Sequence, residues 1–111
     1  MTHEMKLRPS PFNKIASGEK TFELRLYDEK RRKIRVSDTI VFACTDDERI
    51  ITAKVKALHR FDSFKELYAS LPLERCGYRD ASKADPGDMD EYYPREKQEK
   101  YGAVAIEIEL M

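Results

Sequence analysis

The sequence predicts an α+β domain built as a small mixed β-barrel with flanking short helices. Apolar residues recur with a period of two in several segments, which is typical of half-buried strands. Segments with helical spacing are few and short, and short turns rather than long crossovers join the strands. Because a regular alternation of strand and helix is missing, a doubly wound parallel sheet is disfavoured. At 111 residues the chain has the size of one domain, so residues 1–111 are expected to fold together.

The first quarter of the chain predicts a strand, a helix and a second strand. Residues 5–7 alternate weakly and predict a short strand. Two prolines then suit the first turn of a helix, where a missing backbone N–H costs little, and Ser10 between them is expected to cap it. Gly18 fits the left-handed residue that ends a helix. Residues 20–26 alternate strictly, with Phe22 and its period-two neighbours on one face.

The middle of the chain predicts two further strands. Residues 39–45 contain a continuous apolar run, which favours a strand buried on both faces. The acidic residues 46–48 are expected to form a hairpin turn. Residues 50–61 alternate again and predict a long strand.

The last part of the chain predicts short helices and a final strand. Ser63 and Glu66 have the spacing of a capping box, which starts a helix that the following proline ends. Residues 72–87 show no clear period, and residues 88–100 predict two short helical segments. Residues 103–110 alternate as a strand.

The charge balance restricts the classes of partner. Lys and Arg number 21, as do Asp and Glu, so the net charge is zero and a generally basic nucleic-acid binder is excluded. Residues 1–60 nevertheless carry 14 basic and 9 acidic side chains, whereas residues 61–111 carry 7 and 12. This separation favours one positive face for an anionic partner, although two solvated loops of opposite sign would give the same counts.

The sequence lacks signals for secretion or membrane insertion. No apolar segment follows Met1 as in a signal peptide, and no apolar run approaches a membrane span of about 20 residues. Cys44 and Cys76 are far apart and lie in no metal or redox motif. Cys44 is expected to be buried in a strand and Cys76 to be exposed in a loop. We therefore expect a cytoplasmic protein with free thiols and no membrane association.

The first candidate site is the polar face of residues 20–26. Alternation places Glu23 and Arg25 on the face opposite Phe22, and Lys20 lies at the start of the strand. If that face lines a cleft, Lys20 and Arg25 supply donors for a phosphate or a nucleobase, and the carboxylate orients one of them. If the face is turned outward, the same charges pair with the next strand and carry no function.

The second candidate site is a group of C-terminal tyrosines. Tyr92, Tyr93 and Tyr101 could line a pocket in which a base stacks on a ring, or could simply cover the open end of the barrel. No metal site is expected, because His3 and His59 are far apart and lack matching ligands. No cofactor motif occurs either, so no cofactor is expected.

Three segments of the sequence resemble ASCH domains of the PUA-like superfamily. Residues 18–25, GEKTFELR, resemble the signature G-x-K-x-x-E-x-R. Residues 36–40 are similar to the family's x-x-G-D-x-I segment, with Ser37 in place of the usual glycine. Residues 92–106, which contain YYP and KYGAVAI, are similar to its Y-[PS]…[YF]-G-[VA]-x-A-I ending. The resemblance extends from Met5 to Leu110.

The resemblance implies a small β-barrel with a cleft that binds RNA or a nucleotide. It carries Lys20, Glu23 and Arg25 over as ligand-binding residues, with Tyr93 and Tyr101 at the rim. Some small ASCH proteins are amidohydrolases of N4-acetylcytidine that use a lysine and a threonine three residues later. Here Glu23 occupies that second position, which departs from the enzymes' pattern.

Two functions follow as hypotheses. The first is an RNA- or nucleotide-binding module built around Lys20, Glu23 and Arg25. The alternative is an amidohydrolase-type enzyme acting on a modified nucleoside, with Lys20 as a base and Glu23 as a general acid or water-positioning group. A protein partner that uses the same cleft is a third possibility.

Overall fold

A computed structural model describes residues 1–111, which form one five-stranded sheet and three α-helices. The strands are β1 (Thr2–Leu7), β2 (Phe22–Leu26), β3 (Thr39–Cys44), β4 (Ile50–Phe61) and β5 (Ala103–Leu110). The helices are α1 (Pro9–Ala16), α2 (Phe64–Ser70) and α3 (Arg95–Tyr101), with short 3-10 turns at Arg31–Lys33, Leu73–Arg75, Ala81–Lys83 and Pro86–Glu91. None of the helices has the length and apolarity needed to cross a bilayer.

The sheet has the strand order β1-β3-β4-β5-β2. β1 runs parallel to β3, and the remaining neighbours are antiparallel. The sheet curls into a half-barrel whose edge strands, β1 and β2, face each other across an open seam. This confirms the predicted α+β barrel with flanking short helices.

Two apolar cores lie on opposite faces of the sheet. The first packs α1 against one face and includes Phe12, Phe42 and Ile106. The second packs α2 against the other face and includes Phe64 and Ala105. Because β5 is central and covered on both sides, side chains of both parities along it are buried.

Two local predictions were wrong. Residues 39–45 are buried on one face only, through Ile40, Phe42 and Cys44, because no helix covers the other face of β3. The residue at the start of α1 is Arg8, and Ser10 lies inside the first turn. The helix begins at Pro9 because proline already has the φ angle of a helix and has no N–H to satisfy.

The predicted cap of α2 is confirmed. The backbone N–H of Glu66 donates to Ser63 Oγ over 3.2 Å. The Glu66 side chain accepts from the N–H of Asp62 over 3.3 Å, one residue before the expected partner. The helix therefore starts where the sequence indicates.

Asp38 ties the chain start to the turn before β3. It accepts hydrogen bonds from the Arg35 N–H at 3.0 Å and from the Met1 ammonium at 3.3 Å. The imidazole Nε2 of His3 lies 2.8 Å from its Oδ2. The hydrogen bond with His3 contributes most, and together these contacts lower the pKa of Asp38 to about 2, below its ordinary value.

We expect Asp38 to contribute to the acid stability of the fold. A carboxyl with a lowered folded-state pKa stabilises the protein above its unfolded pKa, and the contribution is lost as the pH falls from about 4 towards 2. Urea unfolding across this range should show a smaller loss of stability in Asp38→Asn than in the wild type. Asp46→Asn, in an exposed turn, is the matched control and should keep the wild-type slope. Equal slopes for Asp38→Asn and the wild type would contradict the assignment.

Candidate functional site

A cleft of about 630 Å³ opens at the seam between the two edge strands. The end of β1, one side of α1 and the strand β2 form part of its lining. The segments around residues 76–78 and 88–93 form the opposite wall. Since the sheet does not close at this seam, β2 exposes there side chains that a complete barrel would cover.

The floor of the cleft is a buried network of three charged side chains. Lys20 Nζ donates to Glu23 Oε1 over 2.7 Å, and Arg25 Nε donates to Glu23 Oε2 over 2.8 Å. Arg25 also donates to the backbone carbonyl of Lys6, over 3.1 Å, and so connects β2 to β1 across the seam. The Glu23 residue is only 3% exposed. These contacts fix the positions of both cations.

The register of β2 against β5 determines on which face of the sheet this network lies. In the antiparallel pairing with β5, Glu23 lies opposite Ile106 and Arg25 opposite Val104. Both β5 residues belong to the first core, so the two charged residues lie on the core face of the sheet rather than on an outer face. Only the position of β2 at the edge lets them reach the cleft.

The electrostatics keep Glu23 ionised. Burial by itself disfavours the carboxylate, but the positive charges of Lys20 and Arg25 and their hydrogen bonds lower its pKa below the ordinary value. Burial likewise opposes the charge of Arg25, and the Glu23 carboxylate outweighs it and raises the Arg25 pKa. The network thus has one net positive charge, and Glu23 is a hydrogen-bond acceptor at neutral pH.

A glycine turn closes over Lys20. Gly77 has φ +107°, and a Cβ there would lie 3.5 Å from Lys20 Cδ. The carbonyl of Gly77 accepts a hydrogen bond from Lys14 Nζ over 2.7 Å. The turn therefore packs against one lysine and binds another.

Basic side chains outnumber acidic ones around the cleft. Five basic and three acidic residues line it, which leaves an excess of two positive charges. The basic residues are Lys6, Arg8, Lys14, Lys20 and Arg25, and the acidic residues are Glu23, Asp88 and Glu91. The basic members all come from the positive first half of the sequence. A local patch of this kind attracts anions although the whole chain is neutral.

Tyrosines form the wall opposite the basic rim. The Tyr93 ring stacks on Phe64 of the second core, with ring centroids 6.1 Å apart and an interplanar angle of 4°. The hydroxyls of Tyr68 and Tyr78 lie 2.7 Å apart, and Tyr78 donates to Asp88 Oδ2 over 2.8 Å. Burial raises the pKa of Tyr68 to about 12 and also raises that of Tyr78, so both phenols remain protonated at neutral pH.

Four of the five residues singled out from the sequence meet in this cleft. Lys20, Glu23, Arg25 and Tyr93 all line it. Tyr101 does not: it lines a second depression, of about 620 Å³, together with Tyr27.

The structure also places the remaining tyrosine and a cysteine. Tyr92 lies at the rim, where the Arg8 guanidinium lies 5.1 Å from its ring centre. The predicted exposure of Cys76 was wrong, because the residue is buried in the second core. Burial raises its pKa to about 11, so the thiol is unreactive at neutral pH.

Sequence reasoning missed several residues of the site, among them Lys14, Tyr68 and Tyr78. Lys14 and Tyr68 lay within predicted helices, and Tyr78 lay in a segment without a period. Their only sequence signal is residue type, since their partners are distant along the chain: Lys14 and Gly77 are 63 positions apart. No group of three or more His, Cys, Asp or Glu side chains is placed to hold a metal ion.

Comparisons with known proteins agree with this architecture. The structure resembles the crystal structure of the hypothetical protein PH0355, with 35% identity, 100% of both chains covered and a TM-score of 0.85. It also resembles the solution structure of protein PF0455 from Pyrococcus furiosus, with 36% identity, 100% of this chain and 98% of that one covered, and a TM-score of 0.75.

More distant similarity supports the fold alone. The crystal structure of ASCH from Zymomonas mobilis shares 19% identity and a TM-score of 0.62, covering 96% of this chain and 65% of that one. A search of curated proteins found no significant match. The model of the ASCH domain matches residues 5–111, nearly the whole chain. The chain therefore belongs to the ASCH domain family.

Proposed function

We propose that the protein binds a nucleotide unit, either free or within single-stranded RNA, in the cleft at the barrel seam. The observation that carries the proposal is the buried Lys20–Glu23–Arg25 network at the floor of a tyrosine-walled cleft. A nucleotide combines an anionic phosphate, a flat ring and hydrogen-bonding edges. The cleft offers a matching group for each of these parts.

The basic rim supports recognition of the phosphate. Lys6, Arg8 and Lys14 line the cleft near its mouth, and the buried network adds a net positive charge beneath them. Lys6 and Arg8 are both exposed; Arg8 donates to Glu91 over 3.1 Å at the rim, and Lys14 is held by the Gly77 carbonyl. Such groups bind phosphate oxygens through charge-assisted hydrogen bonds.

The tyrosine wall supports recognition of the base. Tyr92 is 51% exposed at the rim and can stack on a base, while Tyr93 is fixed by Phe64. Stacking on aromatic rings is the usual way in which proteins hold unpaired RNA bases. The combination of basic rim and aromatic wall therefore favours a nucleotide over a simple anion.

We expect Lys6→Ala to weaken binding and to make it less dependent on salt. Each phosphate contact releases counterions, so loss of one contact lowers the magnitude of the slope of log K against log salt by about 1. Fluorescence titrations of a labelled single-stranded RNA and of nucleoside monophosphates, at several salt concentrations, would measure both effects. Lys54→Ala is the matched control, because Lys54 is an exposed strand lysine outside the cleft.

Comparing Lys6→Ala with Lys54→Ala separates the loss of a contact in the cleft from the general loss of one positive charge. Identical slopes for Lys6→Ala and the wild type would remove the assigned phosphate contact. Absence of saturable binding to every RNA and nucleotide at low salt would overturn the proposed function itself.

A second candidate function is hydrolysis of a modified nucleoside such as N4-acetylcytidine. The observation that favours it is the 2.7 Å contact between Lys20 Nζ and Glu23 Oε1 inside the cleft. The ionised Glu23 can accept a proton or orient a water molecule, but it has no proton to give as an acid. Product analysis of the same titration samples with acylated nucleosides would reveal turnover, which should then vanish in Lys20→Ala.

A further inference from the structure

We propose that Asp88, oriented by a chain of two tyrosines, selects nucleobases that carry an exocyclic amino group. The inference rests on the proposed function, because it concerns the edge of a base held in the same cleft. It depends on the direction in which the protons of Tyr68 and Tyr78 point.

The hydrogen-bond chain has only one possible direction. An ionised carboxylate accepts and cannot donate, so the proton of Tyr78 points to Asp88 Oδ2, 2.8 Å away. Tyr78 has no second proton, and the 2.7 Å contact with Tyr68 therefore requires Tyr68 to be the donor. Both phenolic protons therefore take part in hydrogen bonds within the tyrosine wall and are not available to a ligand.

The wall consequently offers acceptors to a ligand. Asp88 is an exposed residue whose Oδ1 accepts no hydrogen bond from the protein, and Tyr78 Oη has a lone pair left over. Tyr68, Tyr78 and Asp88 all line the cleft. At the floor, Lys20 and Arg25 carry N–H groups beyond those that donate to Glu23 and to the Lys6 carbonyl, and these remain as donors for a ligand. The cleft is therefore divided into a donor side and an acceptor side.

This division distinguishes bases by their edges. Cytosine has an amino group where uracil has a carbonyl oxygen, and adenine differs from hypoxanthine in the same way. An amino group donates to the Asp88 carboxylate, whereas a carbonyl oxygen in that place is repelled by the negative charge and finds no donor. Cytosine and adenine should thus bind more tightly than uracil and hypoxanthine.

The test compares cytidine with uridine and adenosine with inosine, each as the 5′-monophosphate and as a short homopolymer. Calorimetric titration of the wild type should show a preference of at least about fivefold for cytidine over uridine, and for adenosine over inosine. Asp88→Asn replaces one acceptor oxygen by an amide N–H₂ donor and should erase the preference. Asp90→Asn, a change of the same kind at a neighbouring position outside the cleft, should keep it.

Tyr78→Phe provides a second variant that leaves the carboxylate in place. It removes the hydrogen bond that orients Asp88 and should reduce the preference while Asp88→Asn abolishes it. Equal binding of both members of each pair by the wild type, or a preference that survives in Asp88→Asn, would overturn the inference and leave the proposed function intact. Failure of every nucleotide and homopolymer to bind would overturn both.

Discussion

Replacing Glu23 with alanine is expected to lower the free energy of unfolding by about 3–5 kcal/mol. Glu23 is 3% exposed, and its carboxylate pairs with two cations, Lys20 and Arg25, which the fold has removed from water. Its loss leaves both cations without a counter-charge, in a site where burial already opposes the charge of Arg25. Arg25 would also lose the partner that holds it against the Lys6 carbonyl, which loosens the seam.

Urea unfolding followed by circular dichroism would measure the loss. Glu4→Ala is the matched control, because Glu4 is an exposed strand glutamate whose removal should change stability by less than about 0.5 kcal/mol. Glu23→Gln keeps the shape and one acceptor oxygen and should lie between the two. A loss of under about 1 kcal/mol for Glu23→Ala would mean that the pair behaves as an exposed one, which contradicts a buried cleft floor.

Truncation of Phe64 is expected to have an effect of similar size. Phe64 is 2% exposed and is among the largest side chains of the second core, so Phe64→Ala should cost about 3–5 kcal/mol through lost burial and a residual cavity. The same ring stacks on Tyr93, which lines the cleft. The substitution should therefore also weaken nucleotide binding at temperatures where the variant remains folded.

A conservative variant separates the two effects. Phe64→Leu keeps most of the apolar volume and should cost under about 1.5 kcal/mol, but it removes the aromatic ring beneath Tyr93. Thermal melts and RNA titrations of both variants would show whether binding follows stability or the stacked pair. Wild-type stability in Phe64→Ala would contradict the position of Phe64 in the core.

Local sequence patterns predicted the elements that depend on interactions between residues close together in the chain. The period of two in residues 20–26 identified β2 and its two faces, and the Ser63–Glu66 spacing identified the start of α2. Both signals depend on residues a few positions apart, so the sequence carries them directly. The prediction for residues 39–45 was wrong because burial of the second face depends on a covering helix, which an apolar run cannot reveal.

The candidate site was predicted only in part for the same reason. Lys20, Glu23 and Arg25 lie within six positions and could be grouped from alternation and the signature that they share with ASCH domains. Tyr78 and Asp88 could not be grouped with them, since Tyr78 lies in a segment without a period and Asp88 begins a predicted helical segment far along the chain. Tyr101 was grouped with Tyr93 by residue type, yet the two rings line different depressions.

The sequence by itself determined that Glu23 and Arg25 share a strand face opposite the apolar residues of β2. It left open whether that face meets water or the protein interior. Only the tertiary structure decided this, because β2 pairs with the central strand β5 and its polar face lies beside the first core. The Arg25 side chain donates to the carbonyl of Lys6 across the open seam. This long-range contact holds the charged pair at the floor of the cleft.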